Sequence, residues 1–204
     1  VDGDSELVAA SLMKIPVVMD LYKAHELGRI NIDDQITLKE EWLDSKYGDL
    51  YKKGAGYKLT YREAAKLTLS DSDNTAYKAL LYSTSTLLNS DENSIISSDV
   101  TFSRDDSREI IISARSYSSF LKCLYFGCYL NYDHSQEILG FLSESGFNNR
   151  LRAGIPSNVS VSHKIGTYSD STQSACGIVY VDKRHYVYCV MLSSTENTGD
   201  AHLS

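Results

Sequence analysis

Residues 11–27 read SLMKIPVVMDLYKAHEL, and Gly28 follows. The stretch predicts a helix and carries its own punctuation. Gly28 suits the left-handed position just past a helix end. Pro16 lacks a backbone N–H, so it fits only in the first turn, where that group would be an orphan anyway. The helix therefore starts close to Ser11. Ser11 and Lys14, three apart, then share one face beside free backbone N–H groups and the positive end of the helix dipole. Such a place can activate a serine nucleophile and lower the pKa of a lysine base. The same S-x-x-K string recurs at Ser119-Phe-Leu-Lys122, but there in mid-helix, with no free N–H groups beside it.

Working outward, Thr60-Tyr-Arg-Glu63 reads as a capping box opening a helix to about Leu69, and residues 75–88 as another helix. Residues 29–58 read as irregular, and 89–112 as a polar loop ending in Ile110-Ile111-Ile112. Helices follow at about 114–127 and 134–145. The tail then changes character. Val159–Lys164, Ala175–Val181 and Tyr186–Ser193 are β-rich, the last two joined by the turn Asp182-Lys183-Arg184-His185. The reading is a helical stretch of about 150 residues followed by a three-strand antiparallel meander. Such a sheet needs a helical layer to bury one face.

Two more strings fall into this frame. Ser72-Asp73-Asn74 sits at a break between two helices, where Ser and Asn also serve as caps. Lys164-Ile165-Gly166-Thr167 closes a strand, and a strand glycine often marks close approach of another backbone or of a ligand. With Ser11 and Lys14 they would together suit an acyl-transfer site.

In this order and spacing the chain resembles the penicillin-recognising serine hydrolases, which include the class A β-lactamases and the D,D-peptidases. Ser11 and Ser72 stand 61 positions apart. The resemblance implies an α/β (α+β) fold, an antiparallel sheet covered by helices plus an all-helical subdomain. Residues 1–28 would be the catalytic helix of the α/β part, 29–156 a mainly helical subdomain carrying the Ser72 loop, and 157–204 the strands of the α/β part. It further implies Ser11, Lys14, Ser72 and Lys164 as catalytic residues and Asn74, Gly166 and Thr167 as substrate-binding ones. The N–H groups of Ser11 and Thr167 would form the oxyanion hole. The expected substrate is a β-lactam or a D-Ala-type peptidoglycan peptide, hydrolysed without a cofactor or metal in an extracytoplasmic, cell-envelope setting.

The chain departs from the family pattern in three ways. It has no E-x-x-L-N string for a deacylating glutamate; Glu109 lies in roughly the right region and reads as the lead-in to the next helix, with a deacylation base as the alternative. Ile165 stands where the family has Ser or Thr, so Thr167, two positions on along the same strand face, is expected to replace the missing hydroxyl only in part. Finally, the family's usual terminal elements do not fit in the ten residues before Ser11 and the eleven after Ser193. The expected three-stranded sheet would leave one face uncovered and open to oligomerisation. A rival reading keeps the fold as a slow-deacylating or non-catalytic penicillin-binding sensor.

Composition sets outer bounds. The net charge of −7 offers no basic face for nucleic acid, and no apolar run reaches the length of a membrane span. No Gly-rich phosphate loop is present. Cys123 and Cys128 sit five apart on a predicted helix and share a face poorly. Cys176 and Cys189 fall on adjacent predicted strands. All four are read as buried free thiols, which leaves the redox compartment open. His163, next to Lys164 on its strand, should point to the opposite face and be buried.

Overall fold

The computed structural model describes residues 2–84, 103–105, 109–169 and 172–193. Strand β1 (Glu6–Val8) leads through a 3₁₀ turn at Ala10–Met13 into helix α1 (Lys14–Glu26). Pro16 is the third residue of α1, where a missing N–H breaks no helical bond. The helix is apolar almost all round, with Ile15, Val18, Met19, Leu21, Tyr22 and Ala24 fully buried, so it runs through the core. It stops as its glycine predicts. Gly28 has φ +69°, the Gly28 N–H bonds the His25 carbonyl, and the Arg29 N–H reaches back to the Ala24 carbonyl, both at 2.9 Å.

Strand β2 (Gln35–Thr37) pairs antiparallel with β3 (Lys58–Thr60), so the stretch expected to be irregular contains a small sheet. Helix α2 (Tyr61–Ser70) opens on the predicted capping box. Thr60 Oγ1 accepts the Glu63 N–H at 3.1 Å, and Glu63 Oε2 accepts the Thr60 N–H at 2.7 Å. Helix α3 (Asn74–Thr84) follows one short break later.

The long polar loop needs correction at its end. Strands β4 (Ser103–Arg104) and β5 (Ile110–Ser113) form a second small sheet in the order β1-β5-β4, which ties Ile110–Ile112 back to the chain just before Ser11. Residues 85–102 of the expected loop and helix end lie outside the described residues. The mainly helical stretch 29–156 therefore holds short strands beside its helices. Its strands were hidden because they are only two to four residues long, too short to display a period.

Helix α4 (Ala114–Phe126) is capped by Ser113 and α5 (Tyr132–Ser143) by Asn131. Gly127, at φ +67°, reverses the chain after α4 and brings Cys128 beside Cys123, where they form a disulfide. Strands β6 (Ser160–Tyr168), β7 (Thr172–Val181) and β8 (Arg184–Ser193) make the expected antiparallel meander. Cys176 faces Cys189 directly in the β7–β8 register, and they too are bonded. The expectation of free thiols is overturned. One pair depends on a helix ending one residue before a left-handed glycine, the other on a register that the sequence does not reveal.

The sheet face bearing Ser162, Lys164 and Gly166 meets α5 and the 3₁₀ turn that carries Ser11, while α4 lies against β7 and β8. A shared apolar core joins α1 to Tyr117, Phe120 and Leu124 of α4 and to Ile138, Leu139 and Leu142 of α5. Among the described residues no helix is long and apolar enough to cross a membrane.

The capping box gives a direct check on this account. Thr60→Ala removes the acceptor for the Glu63 N–H, and urea unfolding should show a loss of about 1 kcal/mol.

Candidate active site

The turn carrying Ser11 is clamped from three directions. The Ala9 N–H bonds the Ile110 carbonyl of β5 at 2.8 Å, and the buried Tyr117 hydroxyl of α4 bonds the Leu12 carbonyl at 2.9 Å. From the third side β6 comes so close that a Cβ on Gly166 would lie 3.0 Å from the Ala9 carbonyl and 2.5 Å from Ser174 Oγ. Gly166 is thus required for packing strand against turn. Ala10 has φ +46° and Ser72 φ +54°, both in the left-handed region that non-glycine residues rarely adopt. Strain of this kind persists only where the surroundings over-determine it, and here it flanks Ser11 and occupies Ser72.

Two amines converge on the Ser72 hydroxyl. Lys14 Nζ lies 3.0 Å and Lys164 Nζ 2.8 Å from Ser72 Oγ, and both lysines are buried. Lys14 also donates to the Ser72 carbonyl at 2.5 Å and to Asn74 Oδ1 at 2.7 Å. Burial brings the Lys14 pKa down to about 8, against the opposing pull of Asp73 and Asp44. Lys164 falls well below its ordinary range, first through burial and then through the nearby charges of Lys14 and Arg150. With both amines donating to its oxygen, Ser72 keeps its own proton for a further partner. Ser72 and Ser11 line one cleft, together with Tyr47, Phe147, Ile165 and Thr167. A second part of the cleft, about 200 Å³, runs from Ser11 past Lys14 and Asn74 to Tyr77 and Tyr168. The arrangement can deprotonate a hydroxyl, carry a proton across a short relay and hold a polar substrate against β6.

Asp73 organises the wall opposite β6. It is buried, its Oδ2 accepts the Leu50 N–H at 2.9 Å and its Oδ1 the Ala76 N–H at 2.8 Å. Gly48 passes so close that a Cβ there would fall 2.0 Å from Asp73 Oδ2. The Tyr47 carbonyl accepts the Asn74 N–H at 3.0 Å. Asp73 thereby fixes the loop that presents Tyr47 to the cleft.

All of the motif residues expected at the site come together, and several unexpected ones join them. Tyr47 and Phe147 carry no local motif, and only the fold brings them to Ser11. Arg150 is another. Its Nη1 bonds the carbonyls of Gly166 at 2.7 Å and Ser174 at 2.8 Å, and its Nη2 bonds Thr167 Oγ1 at 2.6 Å. The Thr167 hydroxyl is therefore held by a guanidinium at the end of β6. Asp73 alone had a readable signal, since an acidic residue three positions before Ala76 suits a helix start. Glu109 stands just before β5, its N–H bonded to Asp105 Oδ1 at 2.9 Å, and it is not among the residues lining the Ser11 cleft. His163 points away from Lys164 as expected; it is buried, and burial, then Lys164 and Arg152, bring its pKa down to about 4. Roomier depressions of about 380 and 290 Å³ lie outside the cleft, the first backing onto Asp73 and the second against α4 and β8, and neither contains a lysine–hydroxyl relay. No cluster of His, Cys, Asp or Glu among the described residues could hold a metal ion.

Comparison with known proteins bears on this geometry. The model of the family described as "Beta-lactamase enzyme family" matches residues 1–203. No curated protein sequence matches the chain. Among solved structures, the β-lactamase from Sphaerobacter thermophilus superposes with a TM-score of 0.84 at 23% identity, covering 95% of this chain and 77% of that one. A β-lactamase from Chitinophaga pinensis gives 0.82 at 22%, covering 96% and 80%. A point mutant of PBP-A, solved as an acyl-enzyme complex with penicillin G, gives 0.81 at 21%, covering 97% and 77%. At such identities the likeness is one of fold.

Asp73→Ala strands two buried N–H groups without acceptors. It should cost about 3 kcal/mol in urea unfolding, several times the effect of an exposed substitution.

Proposed function

The chain belongs to the beta-lactamase enzyme family, and we propose that it is a serine acyl-transfer hydrolase acting on β-lactams or related D-Ala-type amides through an acyl-enzyme on Ser11. The observation that carries this reading is the Ser72 hydroxyl held between two buried lysine amines, in one cleft with Ser11. The acyl-enzyme of the PBP-A mutant supports β-lactams as the substrate class.

In this mechanism Ser11 Oγ attacks the substrate carbonyl while neutral Lys14 takes up the serine proton. Lys14 already donates to Ser72 Oγ, so the proton can pass along that bond as Ser72 gives its own to the leaving nitrogen. Lys164 steadies Ser72 and attracts the substrate carboxylate, and Arg150 adds positive charge at the far end of the same strand. Asn74 holds the substrate amide. The N–H groups of Ser11 and Thr167 take the developing oxyanion. Water attack on the ester then restores Ser11.

A second reading concerns the last step. Among the described residues no carboxylate lines the Ser11 cleft. That favours slow deacylation, so the chain would behave as a penicillin-binding or sensor module that acylates and holds. An extracytoplasmic setting fits both readings and is supported by the two disulfides, which persist in oxidising compartments.

Intact-mass spectrometry after incubation with a penicillin, beside Ser11→Ala, tests the proposal. An adduct on the parent alone, stable over hours, supports acylation with slow release. Product without a lasting adduct supports full turnover. Neither adduct nor product sinks the β-lactam reading. The acylation rate should rise with pH up to about 8 and then level, because Lys14 is a base only when neutral. Ile165→Thr restores a hydroxyl in the cleft and should raise kcat/KM for penicillin roughly fivefold, the worth of about one hydrogen bond.

A further inference from the structure

Outside the cleft, one carboxylate is wired to Lys14 through a single side chain. Asp44 Oδ1 accepts from Asn74 Nδ2 at 3.2 Å, and the Asn74 Oδ1 accepts from Lys14 at 2.7 Å. Asp44 Oδ2 is paired with Lys78 of α3 at 2.8 Å. The rest of Asp44 is pinned as well. Its Oδ1 takes the Lys46 N–H at 2.9 Å, its own N–H goes to Thr75 Oγ1 at 2.9 Å, and the Thr75 hydroxyl returns to the Asp44 carbonyl at 3.3 Å. Burial works against the Asp44 charge, but Lys78, the Lys46 N–H and Asn74 hold its pKa down to about 2.

An asparagine amide has two ends of nearly equal shape, and the environment decides which faces where. An ionised carboxylate can only accept, so it draws the Asn74 NH₂ towards itself and leaves the amide oxygen for Lys14. The reverse orientation would set donor against donor at Lys14 and acceptor against acceptor at Asp44. We propose that Asp44 is a positioning residue, fixing the Asn74 amide with its oxygen on Lys14, and that together with Lys78 it sets the charge against which Lys14 works as a base. The inference rests on the reading of Lys14 as the base of Ser11.

The groups facing Lys14 define the balance. Asp73 and Asp44 favour its charged form, and Lys164 across Ser72 opposes it. The Tyr77 ring lies under the amine at 5.6 Å, and Lys46 lines the same part of the cleft. Asp73 is fixed by two backbone N–H groups, whereas Asp44 shares its charge with a partly exposed lysine. Asp44 and Lys78 should therefore act in opposite directions. Removing the carboxylate charge makes Lys14 easier to deprotonate, and removing Lys78 leaves Asp44 uncompensated and makes it harder.

The test follows the Lys14 ¹³Cε resonance by NMR through a pH titration, assigned by its loss in Lys14→Arg, in the parent, Asp44→Asn and Lys78→Met. The midpoint should fall by roughly half a unit to one unit in Asp44→Asn, a three- to tenfold gain in neutral amine below the midpoint, and should rise in Lys78→Met. The acid limb of penicillin acylation should move the same way in each variant. Midpoints that stay put in both variants, or move in one direction in both, overturn the proposal. Thermal melts check that each variant folds, and if Asp44→Asn does not, the sign of the Lys78→Met shift decides alone. A parent that penicillin never acylates would refute the hydrolase reading, while the lysine titration would still judge the role of Asp44.

Discussion

Two lysine amines are buried around one serine hydroxyl, and much of the structure follows from that constraint. Among the described residues neither amine has a carboxylate bonded to it. Their partners are Ser72, the Asn74 amide and main-chain carbonyls. Burying two like charges so close together is costly, and the cost falls if the amines give up protons more readily. The downward shifts of Lys14 and Lys164 are the physical consequence, and they are also what a lysine base needs. Stability and reactivity are thus coupled at Ser72. The polar contacts that make the burial tolerable are the ones a proton would travel along.

Holding that relay in register demands rigid surroundings, and they come from several directions. Gly166 lets β6 lie directly on the turn before α1, so Lys164 and Ser11 are set by one contact. Tyr117 and Ile110 hold the same turn from α4 and β5. Asp73 does for the opposite wall what Gly166 does for this one, anchoring the loop of Tyr47 to the start of α3. The left-handed backbone at Ala10 and Ser72 adjoins these restraints. Arg150 closes the end of β6 by gathering two carbonyls and the Thr167 hydroxyl.

Much of the fold was readable in local chemistry. The Thr60–Glu63 box, the stop at Gly28, the helix starting at Ala114 and the late strands all appear within a residue or a few of where the chain signals them. The small strands were not readable. Glu6–Val8 and Gln35–Thr37 are three residues long, too short to display a period, and Ile110–Ile112 shows no alternation. At the site, the motif residues were legible because each string has a fixed internal spacing. Tyr47, Phe147, Arg150 and Asp44 belong to no string, and their importance arises from what lies across the cleft.

The sequence by itself determined the helix that carries Lys14 and starts just after Ser11, the order of the three motifs and the family to which they point, since all of these depend on neighbours a few positions apart. The tertiary structure alone decided that Lys164 reaches Ser72 rather than solvent and that Asp44 stands behind Asn74. The physical reason lies in distance along the chain. Caps and turns are satisfied by nearby backbone groups and leave a local imprint. The partners of the buried amines and of Asp44 are selected by packing between segments 30 or more residues apart, and no short stretch of sequence records that choice.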